Sequence, residues 1–184
     1  GRVSCITAKN AVSALTRKEV DKLTDYVKGI GGKGLAWIRY TEDGVSSSFA
    51  KFMTDEQMAA ILARAQAEKG DVVLIIADKK SASVLSQLGL LRIETAKKLG
   101  CIGEGFHFLW ITEFPFFEYD EDNDAYVAMH HPFTAPLDEC LEYLESDQSK
   151  VRAKAYDLVL NGVELSSGSI RITDPVLQKR MFAL

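Results

Sequence analysis

The sequence predicts an α+β protein, and three observations predict it. Strand-like and helix-like stretches alternate through residues 1–80, each closed by a glycine or a turn signal. Residues 81–100 then carry apolar side chains at helical spacing. From residue 106 onward aromatic and β-branched residues come in short segments, the composition of antiparallel strands. With 184 residues, 47% of them hydrophobic, the chain can bury one large core or two small ones.

Residues 2–8 can form a first strand. Thr16 and Glu19 then make a capping box, in which hydroxyl and carboxylate satisfy orphan backbone amides, and Val20, Leu23, Val27 and Ile30 share one face of the helix it opens. Gly29, Gly31 and Gly32 end that helix. Residues 35–40 read as a second strand, Glu42-Asp43-Gly44 as a turn, and 45–52 as the hairpin partner. Thr54 with Gln57 makes a second capping box, Met58, Ile61, Leu62 and Ala65 face a core, and Gly70 stops the helix. Residues 72–77 form a buried strand. The order β-α-β-β-α-β closes as a four-stranded sheet with two helices on one face, a two-layer domain at residues 1–80.

A second unit is expected at residues 81–184. Its leading helix, 81–100, carries Val84, Leu88, Leu91, Thr95 and Leu99 on one face and stops at Gly100. Strands are expected at 106–117, 125–129, 155–165 and 169–172, with an acidic turn, 120–124, joining the first two. Asp174-Pro175 supplies a cap and a first-turn proline for a final helix from Val176. That helix is still running at Leu184, so a chain truncated before its sheet is complete is expected.

Composition narrows the function. No run approaches the ~18 apolar residues of a membrane span, and Gly1-Arg2-Val3-Ser4-Cys5 lacks the features of a secretory signal, so a cytoplasmic protein with no membrane partner is expected. Cys5, Cys101 and Cys140 are widely spaced and contain no C-x-x-C pair, which points to reduced thiols rather than disulfides or zinc. A net charge of -4 argues against a nucleic-acid surface spread over the whole chain. Residues 29–34 match G-x-G-x-x-G literally, but the glycines follow a helix and precede a strand, the reverse of a dinucleotide site, so they read as a helix stop.

Three clusters could carry chemistry. His130-His131-Pro132 stands at a strand end, where neighbouring side chains point to opposite faces, so one imidazole faces a site and the two do not chelate one ion. A histidine metal hydrolase would need more ligands, and His107 is the only other histidine. Asp157, Glu164 and Arg171 lie in or beside a hairpin with Ser166-Ser167-Gly168 as a turn before the arginine. Carboxylates can hold Mg²⁺ on phosphate oxygens and arginine can grip a carboxylate with two parallel hydrogen bonds, while a cross-strand salt bridge is the structural alternative. Asp157 and Glu164 are seven apart, so sharing a metal requires a bulge, for which Asn161-Gly162 is a place. Lys150, Arg152 and Lys154 form an alternating basic edge that could touch nucleic acid but reads first as a solvated strand face.

Met129-His130-His131-Pro132-Phe133-Thr134-Ala135-Pro136 and Ala155-Tyr156-Asp157-Leu158-Val159-Leu160-Asn161-Gly162-Val163-Glu164 together resemble bacterial aspartyl-tRNA synthetases. Ser169-Ile170-Arg171-Ile172 and Leu109-Trp110-Ile111-Thr112-Glu113-Phe114-Pro115 extend the resemblance over most of residues 104–184. Gly34-Leu35-Ala36-Trp37-Ile38, with the pattern around it, resembles the GAD domain that this family inserts into its catalytic domain. A related domain occurs in tRNA-dependent amidotransferases, which leaves a non-catalytic binding module as the alternative for that part.

The resemblance implies a GAD-type insertion domain at 1–80 and part of a class II synthetase antiparallel sheet with helices at 81–184. It implies an aspartate-tRNA ligase, in which L-aspartate and ATP give aspartyl-adenylate and the aspartyl group passes to tRNA, in a homodimeric parent with substrate-associated Mg²⁺. Carried over by position, His130 and Arg171 would bind L-aspartate, Glu164 would bind ATP and its Mg²⁺, and Asp157 would be a second metal candidate. Ser166-Ser167-Gly168 stands where the family usually has a run of glycines. No segment resembles the family's motifs 1, 2 or 3 or its anticodon-binding barrel, so the chain alone is expected to be inactive.

Overall fold

The computed structural model describes residues 1–120 and 122–184, in two units, Gly1–Gly103 and Glu104–Leu184. The first unit is built on β1 (Arg2–Ala8), α1 (Arg17–Gly29), β2 (Ala36–Thr41), β3 (Gly44–Ser47), α2 (Asp55–Arg64), β4 (Val72–Asp78) and α3 (Ser81–Leu99). The four strands form one antiparallel sheet in the order β1-β4-β2-β3. The last strand of this unit therefore lies inside the sheet, with Leu74 between Ile6 of β1 and Trp37 of β2.

The α+β class and the β-α-β-β-α-β order are as expected, but the helices do not share a face. Val72, Leu74 and Ile76 pack with Val20, Leu23 and Val27 of α1 and Val84, Leu88 and Leu91 of α3. Val73 points the other way, into a separate cluster with Ile38 and Leu62 that Met58 and Ile61 of α2 complete. The unit thus has three layers instead of two, because β4 is apolar at successive positions and needs cover on both faces. Each side chain buried this way contributes about 1.5–3 kcal/mol relative to exposure. Helix α3 packs on β1 and β4, so this unit runs past the expected boundary at residue 80.

Local signals account for most of the helix ends. Thr54 and Gln57 form the complete capping box expected of them. At α1 only half forms: Thr16 Oγ1 accepts the Glu19 amide, while the Glu19 carboxylate is taken by Lys22 and Lys98. Gly31, at φ 86°, reverses the chain after α1, and the amides of Gly31 and Gly32 return to the carbonyls of Lys28 and Val27. A Cβ on Gly32 would lie 2.4 Å from Val27 Cγ1, so this position has no room for a side chain. Helix α2 ends earlier than Gly70, with Gln66 in the left-handed region and the amides of Gln66 and Ala67 on the carbonyls of Ala63 and Leu62. The partner strand expected at 45–52 is shorter, β3 giving way to a 3-10 turn at Ala50–Phe52.

The second unit contains β5 (Phe108–Thr112), β6 (Phe117–Asp120), β7 (Ala125–Ala128), β8 (Ala155–Leu160), β9 (Val163–Ser169) and α4 (Pro175–Phe182). Strands β5, β8 and β9 form an antiparallel sheet in the order β5-β8-β9, and β6 pairs with β7. The single strand expected at 106–117 is two strands, because Glu113 takes φ 58° and Pro115 lacks an amide for a ladder. The acidic turn at 120–124 includes position 121, which lies outside the described residues. The core gathers Phe116, Phe117, Cys140, Leu144, Val151, Ala153 and Ala155, with Leu177 and Met181 of α4 packed against it. Asp174 caps α4 by accepting the Val176 amide at 2.8 Å, and Pro175 opens it, as expected.

All three cysteines are free thiols, with Cys140 buried and Cys5 and Cys101 exposed. Among the described residues no helix is long and apolar enough to cross a membrane.

Candidate functional site

The site is built where β7, β8 and β9 hand over to irregular chain. Beyond β7 the chain bends through Met129 and His130, and residues 133–135 then run antiparallel to residues 170–172 just past β9. The Ala135 amide donates to Ile170 O and the Ile172 amide to Phe133 O, both at 2.8 Å, and Thr134 pairs with Arg171. This places His130, His131, Thr134, Asp157, Ser167, Gly168, Ser169 and Arg171 around one pocket of about 270 Å³.

Both histidines line it. The expectation that one faces away fails because the pair lies past the last residue of β7, so strand alternation no longer applies. The His130 ring stands edge-on to Phe114, with centroids 5.5 Å apart. His131 Nδ1 accepts the Phe133 amide at 3.2 Å, which places the proton of its neutral ring on Nε2. The third histidine, His107, is elsewhere, its amide held by Asn161 Oδ1 at 2.9 Å.

Asn161-Gly162 is the hairpin turn itself. Their φ angles of 50° and 82° are the two left-handed positions of a two-residue turn, and β8 and β9 diverge from it. The bulge falls instead on β9, where Ser166 faces Leu158 and Glu164 faces Val159, leaving Leu165 unpaired. Ser166-Ser167-Gly168, expected as a turn, are strand residues. Gly168 faces Tyr156, whose ring would lie 2.8 Å from any Cβ there. The Tyr156 ring in turn stands edge-on to Trp110, with centroids 5.8 Å apart.

Because cross-strand partners share a face, Ser167 opposite Asp157 and Glu164 opposite Val159 put both carboxylates on the same side of the hairpin. Arg171, His130 and Asp157 meet at the pocket, whereas Glu164 is exposed and does not line it. Among the described residues none of Asp157, Glu164 and Arg171 is engaged in an ion pair, so the salt-bridge alternative is not realised. Nor do three His, Cys, Asp or Glu side chains cluster there as a metal site. Lys150 and Lys154 are paired with Asp147 and Asp138, and Lys150 lies in a 3-10 turn rather than on a strand face.

Sequence reasoning left His131, Thr134, Ser167 and Ser169 out of the site. Thr134 is 1% exposed and donates to Ser169 Oγ at 3.3 Å, bracing the two chain segments that form the pocket wall. Nothing in residue type marks such hydroxyls, since serine and threonine are common in turns. Chemically the pocket offers a guanidinium and two imidazoles for an anion and a carboxylate for a cation, with hydroxyls between them.

Residues 1–88 match the family model described as the GAD domain. Across the whole chain there is homology to bacterial aspartate-tRNA ligases. That of Clostridium tetani (strain Massachusetts / E88) is 50% identical over 184 residues, 99% of this chain and 31% of the relative. That of Ruminiclostridium cellulolyticum (strain ATCC 35319 / DSM 5812 / JCM 6584 / H10) is 52% identical over 186 residues, 100% of this chain and 31% of the relative. That of Clostridium beijerinckii (strain ATCC 51743 / NCIMB 8052) is 56% identical over 170 residues, 91% of this chain and 28% of the relative.

Proposed function

We propose that this chain, homologous along its whole length to about 31% of bacterial aspartate-tRNA ligases and carrying a GAD domain, is the part of such a ligase that recognises L-aspartate. The observation that carries the reading is the convergence of His130, Asp157 and Arg171 on one pocket. The residues from Glu104 onward are taken as part of a class II catalytic sheet. The whole protein would act in the cytoplasm as a homodimer, on L-aspartate, ATP and tRNA.

In this reading an oxygen of the aspartate α-carboxylate attacks the α-phosphorus of ATP and pyrophosphate leaves. A terminal hydroxyl of tRNA then attacks the activated carbonyl and AMP leaves. Arg171 grips the side-chain carboxylate of aspartate, and His130 adds a contact to the amino acid. Asparagine in the same place would leave the guanidinium without its anion, which supplies selectivity for the charged side chain. The protein contributes alignment and charge neutralisation, with no covalent intermediate of its own.

Glu164, and Asp157 as a second candidate, would hold substrate-associated Mg²⁺. Two carboxylates on one face of a hairpin suit Mg²⁺ only if phosphate oxygens and water complete its octahedral shell, as is usual for this ion, and no self-sufficient ligand cluster is present among the described residues. When bound, Mg²⁺ would neutralise charge on the phosphates.

ATP-pyrophosphate exchange with each amino acid, run on the full-length protein with and without Arg171→Ala, tests the reading. Exchange with aspartate alone that disappears in the variant is expected. Full-length protein without aspartate-dependent exchange would sink it.

A further inference from the structure

Strand β1 forms one margin of the first sheet, and its outer edge is bare. It pairs with β4 in unbroken register, from Arg2 with Asp78 to Ala8 with Val72, and none of its residues makes another backbone hydrogen bond among the described residues. Every second amide and carbonyl therefore points away from the sheet. Edge strands are ordinarily guarded by a proline, a bulge or charges along their length. This one has neither proline nor bulge, its one charged residue, Arg2, stands at its start, and Val3 is 71% exposed.

An apolar hollow flanks the edge on each face. Ile6 and Ala8 pack toward the core under α3, whereas the Thr7 hydroxyl donates to Ala65 O, just past α2, at 2.8 Å, so even and odd positions look to opposite faces. On the α3 side a hollow of about 480 Å³ is walled by Ile6, Ala8, Thr95, Ala96 and Leu99. On the α2 side one of about 330 Å³ is walled by Val3, Cys5, Ala60, Ile61 and Ala65. A strand laid along β1 would send alternate side chains into the two.

The α3 hollow also carries a sign of what enters it. Thr95 is 4% exposed and lines it, and its hydroxyl is the one buried hydroxyl without a hydrogen-bond partner among the described residues. Arg92, three residues earlier and so on the same face of the helix, stands at the same hollow. The Lys9 ammonium beside it is held by Asp71 at 2.8 Å, but Arg92 has no ion-pair partner among the described residues, and neither has Arg64 at the α2 hollow. Among the described residues no acid lines either hollow. A second copy of β1 would bring Arg2 and Lys9 toward these cations and no acid, so the charge favours a foreign strand that carries carboxylates.

We propose that the edge of β1 binds an extended acidic peptide segment of another protein, which adds a fifth strand to the sheet. Its backbone takes up the outward amides and carbonyls of β1. Apolar side chains enter the α2 hollow, and the alternate ones, acids with apolar stems, enter the α3 hollow and meet Arg92 and the Thr95 hydroxyl. None of these residues lines the Arg171 pocket, so the proposal stands apart from aspartate activation.

Blocked seven-residue peptides that alternate valine with glutamate, glutamine or lysine test it, through hydrogen exchange of the backbone amides of the chain. The glutamate peptide should slow every second amide of Arg2–Ala8 by about tenfold or more at saturation. It should bind several-fold more tightly than the glutamine peptide, and the lysine peptide should protect nothing. Arg92 is exposed and unpaired among the described residues, so Arg92→Glu should erase the preference for glutamate over glutamine at an unchanged melting temperature. Thr95→Val removes an unmet hydroxyl, so it should raise the melting temperature while weakening the glutamate peptide several-fold. No protection at millimolar glutamate peptide, equal binding of the three peptides, or a preference that survives Arg92→Glu would overturn the proposal. Protection already present without peptide would overturn it too, assigning the edge to a second copy if it grows with the concentration of the chain and to the parent's own chain if it is found only in the full-length protein.

Discussion

Replacing Asp71 by asparagine should destabilise the first unit in a pH-dependent way. The Asp71 side chain is 2% exposed, and its carboxylate accepts Lys9 Nζ at 2.8 Å and the amides of Asn10 and Glu68 at 2.9 Å each. It ties the chain leaving β1 to the chain entering β4, next to the Ala8 and Val72 pair. Burial pushes this carboxyl up, but the hydrogen bonds from Lys9, Glu68 and Asn10 together outweigh it and hold it below the usual carboxylate range. Hydrogen bonds to a charged acceptor are worth roughly 1.5–3 kcal/mol each. With its oxygen in the Oδ2 place asparagine still accepts Lys9 Nζ and the Glu68 amide but turns an NH₂ toward the Asn10 amide, so one bond is lost and two lose their charge, and Asp71→Asn should cost about 2–4 kcal/mol. Since the folded pKa lies below the unfolded value, the stabilisation is present in full above about pH 5 and is lost as pH falls through the folded value. Urea unfolding followed through Trp37, 7% exposed in the same core, should show the gap between wild type and variant at neutrality and a shrinking gap below about pH 4. Equal midpoints at neutral pH, or a gap that grows on acidification, would refute the reasoning.

Thr54→Ala removes the hydroxyl arm of a capping box, leaving the amide of residue 54 on Gln57 Oε1, and should cost about 1 kcal/mol by thermal unfolding, as should Thr16→Ala, which removes the equivalent arm at α1. Gly32→Ala drives a methyl against Val27 Cγ1 at 2.4 Å and Val27 O at 2.8 Å in the buried first core, and should cost about 1–3 kcal/mol in a urea titration. Gly168→Ala should turn the Tyr156 ring off the strand and away from Trp110, visible as a change in near-ultraviolet circular dichroism with far-ultraviolet signal retained. An unchanged aromatic spectrum would show that the ring contact is not fixed by the glycine.

The helices of the first unit were legible because their signals are local. Thr54 with Gln57 and the apolar spacing of Val20, Leu23 and Val27 are each contained in a few residues. The placement of the helices around the sheet was misread, although the sign was present: Val72, Val73, Leu74, Ile75 and Ile76 are successive apolar residues, and a strand covered on one face alternates. In the second unit Ser166-Ser167-Gly168 has turn composition, yet pairing with Leu158, Asp157 and Tyr156 keeps it in a strand. Left-handed backbone at Asn161 and Glu113 decided where strands ended, and only at Asn161-Gly162 did residue type announce it. His130, Asp157 and Arg171 were named from the sequence. Their approach depends on residues 133–135 pairing with 170–172, a long-range contact that no local pattern encodes.

Strand β4 sits between two strands that precede it in the chain, and this orders how the first unit is made. Cys5 pairs with Ile75, some 70 residues on, whereas β2 and β3 are joined by a tight turn. As the chain emerges, α1, α2 and the β2-β3 hairpin can form early from near neighbours, but β1 has no partner until Asp78 has been added. Its arrival completes two ladders and the layer under α2, while the layer under α1 closes only when α3 has followed. A growing chain that stalls before residue 78 leaves β1 and the apolar faces of α1 and α2 open to other chains.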